Sequence, residues 1–316
     1  MSSNLSSNKE VVHEILDLFR IYKDGTIERL KGYEIVPPSI DPHTGVQSKD
    51  VIISPETGLS ARLYLPKPAT NPSQSHDKLP LLFYFHGGGF CIESAFSPLY
   101  HNYLNSLVSA ANIVAVSVNY RRSPEHPLPI PFDDSWAAVN WAVGGGDHWV
   151  NDFADLNRVF FAGDSAGGNI AYNLGMRVGL EGLSGSKLEG VILVQPWFGG
   201  EELIGSEAEN PDFVLMTRTV WRIVWPSVTG FDDPIINPNK DPKIADMGCE
   251  RMLVCVAEKD PVRDRGCHYY EGLRRSGWKG TADIVESAGE DHVFHLFNPT
   301  SANAIALLNI FVSFFN

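Results

Sequence analysis

Short, continuous apolar runs alternate with longer segments of helical periodicity from residue 81 onwards, and this alternation constrains the fold more than any other feature of the sequence. Such runs are typical of strands that are buried on both faces of a parallel sheet, with helices in the crossover connections. The sequence therefore predicts an α/β fold with a mostly parallel central sheet flanked by helices. The predicted strands are 81–85, 113–118, 159–162, 191–194, 252–256 and 282–285. The predicted helices are 99–110, 133–143, 166–178, 262–275 and 302–315.

The chain before this alternation is predicted to form a short helix followed by antiparallel strands. Apolar residues recur at helical spacing at Ile15, Leu16, Leu18, Phe19 and Tyr22. Asp24-Gly25 is a typical hairpin turn that leads into a strand at 26–30. Two further runs, 50–54 and 61–65, are predicted as edge strands, and residues 67–79 as a polar loop.

The connection between the fourth and fifth predicted strands is too long for a single crossover helix. It contains three tryptophans, Trp197, Trp221 and Trp225, with several prolines and glycines. We interpret residues 197–248 as a crossover helix plus an insertion that caps the functional edge of the sheet. Because 316 residues are near the upper limit for one hydrophobic core, we predict a single domain over residues 1–316, with cap elements at approximately 1–25 and 197–248.

The charge balance limits the classes of partner. The chain has 25 Lys and Arg against 38 Asp and Glu, which gives a formal net charge of −13. An acidic surface repels phosphate backbones and anionic lipid headgroups. We therefore expect neither nucleic acid nor a membrane as partner, and favour a small, neutral molecule. The sequence gives no prediction of oligomeric state.

The absence of recognisable targeting signals and the spacing of the cysteines predict a soluble, cytoplasmic protein. The N-terminal residues lack the apolar core of a signal peptide, and no run reaches the length of about 18 apolar residues that a membrane span needs. The last residues carry no retention or peroxisomal signal. The four cysteines form no close pair and no C-x-x-C motif, so free thiols in a reducing compartment are expected at Cys91, Cys249, Cys255 and Cys267.

A G-x-S-x-G pattern occupies residues 163–167, directly after one predicted strand and directly before a predicted helix. A turn this sharp brings the flanking backbone segments so close that there is no room for a Cβ atom at positions 163 and 167, which explains Gly163 and Gly167. Ser165 would then lie at the N-terminus of a helix, where the helix dipole stabilises developing negative charge. An ordinary glycine turn with a capping serine is the alternative. The position between strand and helix favours a nucleophile.

A second glycine motif, His86-Gly87-Gly88-Gly89, follows the predicted strand 81–85. At the carboxyl edge of a parallel sheet, its N–H groups can face a ligand oxygen. We predict an oxyanion hole formed by the backbone N–H groups of Gly88, Gly89 and Ala166. His86 is expected to hold this loop and not to act as a base. The triplet at 144–146 follows no strand and is interpreted as a flexible loop.

The acid and base of such a site are expected at the ends of later strands, in the order Ser, Asp, His. Asp260 follows the strand 252–256, and His292 follows the strand 282–285. We assign Asp260 to orient the imidazole and His292 to accept the proton of Ser165. The rival groups are His268, His295, Asp264 and Asp291. A metal site at Asp291, His292 and His295 has no third-ligand motif, so neither metal nor cofactor is predicted.

These motifs together resemble the plant carboxylesterases of the hormone-sensitive-lipase branch of the α/β-hydrolases. The similar segments are Tyr22-Lys23-Asp24-Gly25, His86-Gly87-Gly88-Gly89, Pro124-Glu125-His126-Pro127, Gly163-Asp164-Ser165-Ala166-Gly167, Asp232-Asp233-Pro234, Asp260-Pro261 and His292-Val293-Phe294-His295. The resemblance implies an α/β-hydrolase fold and a Ser165, Asp260, His292 triad. It implies hydrolysis of small or specialised-metabolite carboxylic esters through an acyl-enzyme. Arg122-Ser123 and Ile130 depart from the family pattern, outside the proposed chemistry.

The same branch contains proteins of other functions. Isoflavonoid dehydratases, and plant enzymes that cyclise or transfer acyl groups, use a similar site, and Ser165 alone does not separate them from hydrolases. Gibberellin receptors resemble esterases that lack the catalytic histidine, whereas this chain retains His292. Hydrolysis is therefore the first hypothesis, lyase or acyl-transfer chemistry the second and a receptor the third. Aromatic residues predicted to line the pocket favour a small acyl group or a phenolic or terpenoid alcohol. They are Phe90, Trp197, Phe198, Trp221, Trp225 and Phe294.

Overall fold

A computed structural model describes residues 10–15, 18–67 and 78–316. Its centre is an eight-stranded sheet in the order β11-β10-β9-β8-β6-β7-β5-β4. The strands from β6 to β11 pair in parallel, and β4 and β5 are antiparallel at one edge. Every strand predicted for this sheet is confirmed. The bounds are β4 Gln47–Ser54, β5 Leu59–Leu65, β6 Leu79–Phe85, β7 Val114–Asn119, β8 Ala154–Asp164, β9 Leu188–Val194, β10 Arg251–Ala257 and β11 Thr281–Ser287.

Helices cover both faces of the sheet. The helices are α1 Pro98–Ala111, α2 Ile130–Val143, α3 His148–Phe153, α4 Ala166–Glu181, α5 Pro211–Val224, α6 Arg263–Arg275, α7 Phe294–Phe297 and α8 Ala302–Phe315. Leu81, Phe83 and Phe85 of β6 belong to the hydrophobic core that also contains residues of α2, α4 and α6, whereas Leu82 and Tyr84 belong to the core that contains residues of α1 and α8. Because alternate side chains enter two cores, the whole strand is apolar. This two-sided burial explains why the apolar runs predicted the strands.

The predicted N-terminal helix is wrong, because the described part of this segment forms a separate antiparallel sheet. Its strands are β1 Val11–Ile15, β2 Phe19–Tyr22 and β3 Ile27–Arg29. Ile15 pairs with Phe19 across a turn that Leu18 N closes on Ile15 O at 2.7 Å. A hairpin can therefore bring together apolar residues four positions apart, as a helix would. The Asp24-Gly25 turn is confirmed, with Gly25 at φ 84°. Leu16 and most of the predicted loop 67–79 lie outside the described residues.

The insertion contains one longer helix, α5, together with short 3-10 turns at Gly205–Glu209, Pro238–Lys240 and Ile244–Asp246. Pro211 begins α5, and the side chain of Asn210 caps it by accepting a hydrogen bond from Phe213 N. Arg265 of α6 makes two hydrogen bonds to Glu207, at 2.7 and 2.6 Å, and both side chains are buried. This ion pair joins the insertion to α6. Within the described ranges, no helix has the length and apolar character needed to cross a membrane.

Candidate active site

Loops that follow four of five adjacent parallel strands meet at the carboxyl edge of the sheet. Gly88 and Gly89 follow β6, and Ser165 ends the turn after β8. Asp260 follows β10 and His292 follows β11. All five residues line one cavity of about 430 Å³. The sheet therefore collects residues that are up to 204 positions apart in the sequence (292 − 88) at one place.

Ser165 lies in a strained turn between β8 and α4. Its φ of 52° and ψ of −116° are unfavourable for a residue with a side chain. Its N–H donates to Val194 O at 2.9 Å, and its carbonyl accepts from Trp197 N at 2.9 Å. A Cβ atom on Gly167 would overlap Phe85 O, and one on Gly163 would overlap Gly167 O. The close backbone approach inferred from the sequence is confirmed.

His292 and Asp260 are joined by a hydrogen bond of 2.7 Å between Nδ1 and Oδ2. The other carboxylate oxygen, Oδ1, accepts from Val262 N at 3.0 Å and so fixes the acid at the start of α6. Desolvation of the imidazole acts to lower its pKa. The hydrogen bond and the charge of Asp260, with the charge of Asp164, outweigh that influence, so the pKa of His292 is raised above its usual value. With Nδ1 engaged, Nε2 is the nitrogen left to exchange protons.

The glycine loop after β6 has two consecutive residues in left-handed backbone conformations. Gly88 and Gly89 have φ values of 94° and 59°, in the left-handed region that favours glycine. Gly88 O accepts hydrogen bonds from Cys91 N and Ile92 N, which closes a tight turn. Within the described residues, the N–H groups of Gly88 and Gly89 donate no hydrogen bond. Ala166 is the first residue of α4, where N–H groups lack partners within the helix.

His86 contacts the glycine loop and holds it in place, as the sequence predicted. Its ring is fully buried and stacks on Tyr120 at 4.2 Å between ring centroids. Its Nδ1 lies 2.8 Å from Gly87 O, and the Tyr120 hydroxyl donates to His86 O at 2.8 Å. Burial lowers the pKa of His86 to about 3. The ring therefore stays neutral and structural.

The rival groups occupy other environments. His295 is 2% exposed, contacts the ring of Tyr103 and is outside the cavity lining. Burial, with a smaller influence from the charge of His292, lowers the pKa of His295 to about 3. Asp264 accepts hydrogen bonds from Ser206 and Arg263 and thus binds the insertion to α6. Among the described residues, no three His, Cys, Asp or Glu side chains are placed to hold a metal ion.

Of the six aromatic residues predicted to line the pocket, only Trp197 lines the cavity. The others pack in the hydrophobic cores outside the cavity lining: Phe90, Phe198, Trp221, Trp225 and Phe294. Trp221 stacks on Trp197 at 4.3 Å from the inner side of α5, and Phe90 is fully buried against both. The sequence identifies the aromatic residues but does not show which ring separates the others from the cavity. The cavity wall from α5 consists instead of Phe213, Met216, Thr217 and Val220.

Two polar residues near the site were missed by the sequence analysis. Asp164, directly before Ser165, lines the cavity and is 1% exposed. Gln195, directly after β9, is equally buried, and its Oε1 accepts a hydrogen bond from Val293 N. Gln195 thereby fixes the backbone next to His292. Each of them stands at the carboxyl end of a central strand, and this placement is the signal that could have found them.

Fold and site together define the class of protein. The model of a family with the α/β-hydrolase fold matches residues 82–296, and the chain belongs to this family. It is also 45% identical over 313 residues to probable carboxylesterase 2 of Arabidopsis thaliana, with 98% of each chain covered. Within the family, the chain is a member of the plant carboxylesterases of the hormone-sensitive-lipase branch.

Other relatives extend this comparison. Probable carboxylesterase 7 of Arabidopsis thaliana is 48% identical over 309 residues, with 95% of this chain and 96% of the relative covered. A 2-hydroxyisoflavanone dehydratase of Glycyrrhiza echinata is 42% identical over 327 residues, with 99% and 98% covered. Among solved structures, the carboxylesterase EstE1 from a metagenomic library is 27% identical with a TM-score of 0.71, and 89% of this chain and 90% of that chain are covered.

Proposed function

We propose that the protein is a serine carboxylesterase that uses Ser165, Asp260 and His292. His292 Nε2 accepts the hydroxyl proton of Ser165 as Oγ attacks the ester carbonyl. The oxyanion accepts hydrogen bonds from the N–H groups of Gly88, Gly89 and Ala166. His292 then gives the proton to the departing alcohol, which leaves an acyl-enzyme. Water, deprotonated by His292, releases the acid and restores Ser165.

One observation carries this proposal. The 2.7 Å hydrogen bond between His292 and Asp260 lies at the wall of the cavity that Ser165 and the glycine loop also line. An imidazole held by a carboxylate, in a cavity that a strained serine and a glycine loop also line, fits acyl transfer better than ligand binding alone. A purely binding pocket has no need of the oriented base.

The cavity favours a neutral, largely apolar ester. Leu18, Ile92, Met216, Val220 and Leu296 are among its wall residues. The carboxyl groups of Glu93, Asp164 and Asp260 are the acidic groups of the lining, and they disfavour an anionic substrate. A volume of about 430 Å³ is within the range of small-molecule sites. We propose a short acyl group on a phenolic or terpenoid alcohol as the substrate class.

The central test labels the nucleophile. A fluorophosphonate should modify wild-type protein at Ser165 with one equivalent, as measured by intact mass and peptide mapping. Ser165→Ala should abolish this labelling and lower p-nitrophenyl ester turnover by about 10⁴-fold or more, with an unchanged thermal unfolding profile as the folding control. Equal labelling of the alanine variant would refute the assignment.

Dehydration is the second candidate, because a relative of 42% identity is named a 2-hydroxyisoflavanone dehydratase. In that reaction His292 would remove a substrate proton while hydroxide leaves. Esters from acetate to palmitate should therefore be assayed beside a 2-hydroxyisoflavanone with the same enzyme preparation. Faster elimination than hydrolysis of every ester would favour the second candidate. Tight binding of a diterpenoid acid without turnover of any substrate would favour a receptor.

The proposal extends to organisation and location. The chain acts as one domain over residues 1–316, with the β1–β3 sheet and α5 as its cap, because Leu18 and α5 both contribute to the cavity wall. Four unpaired cysteines in the described residues suit a reducing compartment, and we place the enzyme in the cytoplasm. A fluorescent fusion at the C-terminus, imaged beside organelle markers, tests the location. Accumulation in any organelle would contradict it.

A further inference from the structure

A buried carboxylate stands beside the nucleophile and has two phenol partners. Asp164 precedes Ser165 in the chain and is 1% exposed. The hydroxyl of Tyr84 donates to Asp164 Oδ1 at 2.9 Å, and the hydroxyl of Tyr100 donates to Oδ2 at 2.8 Å. Both phenols are fully or almost fully buried. Burial raises the pKa of Asp164 to about 6, while the two phenol hydrogen bonds act to lower it. The carboxylate is therefore ionised at neutral pH.

Only one of the two phenols is connected to the glycine loop. The hydroxyl of Tyr100 also accepts a hydrogen bond from Gly87 N at 2.8 Å. An O–H group that donates to a carboxylate becomes a stronger acceptor for a second donor. A continuous chain of hydrogen bonds thus runs from Asp164 through Tyr100 to the residue before Gly88 and Gly89. The hydroxyl of Tyr84, in contrast, has no hydrogen bond to this loop within the described residues.

The packing of Gly87 supports the same connection. A Cβ atom at this position would overlap Asp164 Oδ2 and lie 3.1 Å from the Tyr100 hydroxyl. The first glycine of the loop is therefore needed because the carboxylate is so close. The turn that holds Ser165 and the glycine loop are therefore in contact through this carboxylate, in addition to the hydrogen bonds of Tyr100.

We infer that Asp164 is a positioning residue for the reaction and that it acts through Tyr100 to hold the oxyanion N–H groups at their distance from Ser165. This inference rests on the proposed esterase function. Since Asp164 and Ser165 are adjacent, a shift of the serine turn carries the carboxylate with it, and the hydrogen-bond chain then moves the loop in the same direction. A displacement of about 1 Å at a reacting centre can cost about 10²-fold in rate.

The two phenols provide a pair of variants that differ in two respects: Tyr100 is hydrogen-bonded to the glycine loop and lines the cavity, and Tyr84 does neither within the described residues. Tyr100→Phe and Tyr84→Phe each remove one hydroxyl from the same carboxylate, and both side chains are buried beside each other. We expect Tyr100→Phe to lower kcat on an aryl acetate by about 10- to 100-fold, with KM changed by less than about threefold. Tyr84→Phe should lower kcat by less than about threefold. Thermal unfolding of both variants serves as the control, since Tyr100→Phe loses two buried hydrogen bonds and Tyr84→Phe loses one.

A second readout reports on the oxyanion directly. The sulfur anion formed from a thionoester accepts hydrogen bonds more weakly than the oxygen anion formed from the matched ester. If Tyr100 places the oxyanion donors, Tyr100→Phe should lower the ratio of ester to thionoester turnover, and Tyr84→Phe should leave it unchanged. A role in stability alone would move neither ratio.

Substitution of Asp164 itself adds a rescue test. Asp164→Asn retains an oxygen that can accept from Tyr100, so its kcat should exceed that of Asp164→Ala by about tenfold or more. Equal losses in the two tyrosine variants, or an unchanged ester to thionoester ratio in Tyr100→Phe, would overturn the inference while the esterase assignment stands. Absence of ester turnover in the wild type would instead refute the proposed function. If the Asp164 variants do not fold, the tyrosine pair decides.

Discussion

Three histidines lie around the site, and their surroundings give them different properties. Burial lowers the pKa of His86 and of His295 to about 3, so both rings remain neutral. Among the described residues, only His292 of the three forms a hydrogen bond with a carboxylate. Its side chain also keeps 34% of its surface accessible. A ring that is accessible, oriented and raised in pKa can exchange a proton with substrate.

The raised pKa of His292 predicts the acid limb of the pH profile. The base must be neutral, so kcat/KM should be low at acidic pH and rise to a plateau as pH passes the raised pKa. Asp260→Asn removes the hydrogen-bonded carboxylate that is the main cause of the raised pKa, whereas desolvation of the imidazole still lowers it. The acid limb should therefore move to lower pH while the plateau rate falls, by up to about 10⁴-fold. An unshifted limb would show that another group controls it.

His295 is expected to support the site without acting as the base. Because it is 2% exposed and outside the cavity lining, His295→Ala should lower kcat by no more than about tenfold. His292→Ala is the comparison variant and should lose most of the rate together with the acid limb. Turnover of an activated ester and circular dichroism are measured for both. If the variants are equally inactive while folded, the base must be reassigned.

At the level of elements, the insertion is attached to α6 by a buried ion pair. Arg265 of α6 bonds Glu207 through two nitrogens and also donates to Glu202 O at 2.6 Å. The β1–β3 sheet is also attached by an arginine, in an ion pair that is more exposed. Arg29 of β3 donates to Cys91 O at 2.6 Å and pairs with Glu125. Both structures that border the cavity are thus held by arginines whose partners lie in distant loops.

Removal of one partner of the buried pair should be costly. Arg265→Met leaves Glu207 buried without a counter-charge, and we expect the free energy of unfolding to fall by about 3–5 kcal/mol. Arg275→Met, on the same helix, breaks the exposed pair with Glu271 and should change it little or not at all. Urea unfolding followed by tryptophan fluorescence gives both values. Similar losses in the two variants would contradict the argument.

The elements also show what the sequence could and could not predict. The strands from β6 to β10 were predictable because burial on two faces makes them apolar along most of their length, whereas the edge strand β11 was predicted from the shorter segment 282–285. The hairpin that replaces the predicted N-terminal helix was not predictable, because Ile15 and Phe19 are spaced as on a helix yet pair across the two strands. Ser165 and the glycines at 87–89 were predictable because each lies in a short sequence motif next to a predicted strand. The role of Asp164 depends on Tyr100, 64 residues away, so only the three-dimensional structure reveals it.

For the whole molecule, the four thiols offer a test of packing. Cys91, Cys249 and Cys255 are buried, and burial raises the pKa of each thiol, to about 12 for the first two. Cys267 is only partly buried. A thiol reagent needs the accessible thiolate, so at most one thiol of the native protein should react at mildly alkaline pH, and all four after denaturation. Cys267→Ser should abolish the native reaction. Rapid reaction of a second thiol would contradict the packing.

The order of the sheet has a consequence for synthesis. The ribosome delivers β11 after every other strand of the sheet, and β11 sits at one edge with β10 as its partner. A nascent chain that ends before Thr281 can pair the seven earlier strands and already carries Ser165, the glycine loop and Asp260. It still lacks His292. With the roles proposed above, translation yields a serine without its base until His292 is delivered, and we expect products that end before His292 to lack esterase activity.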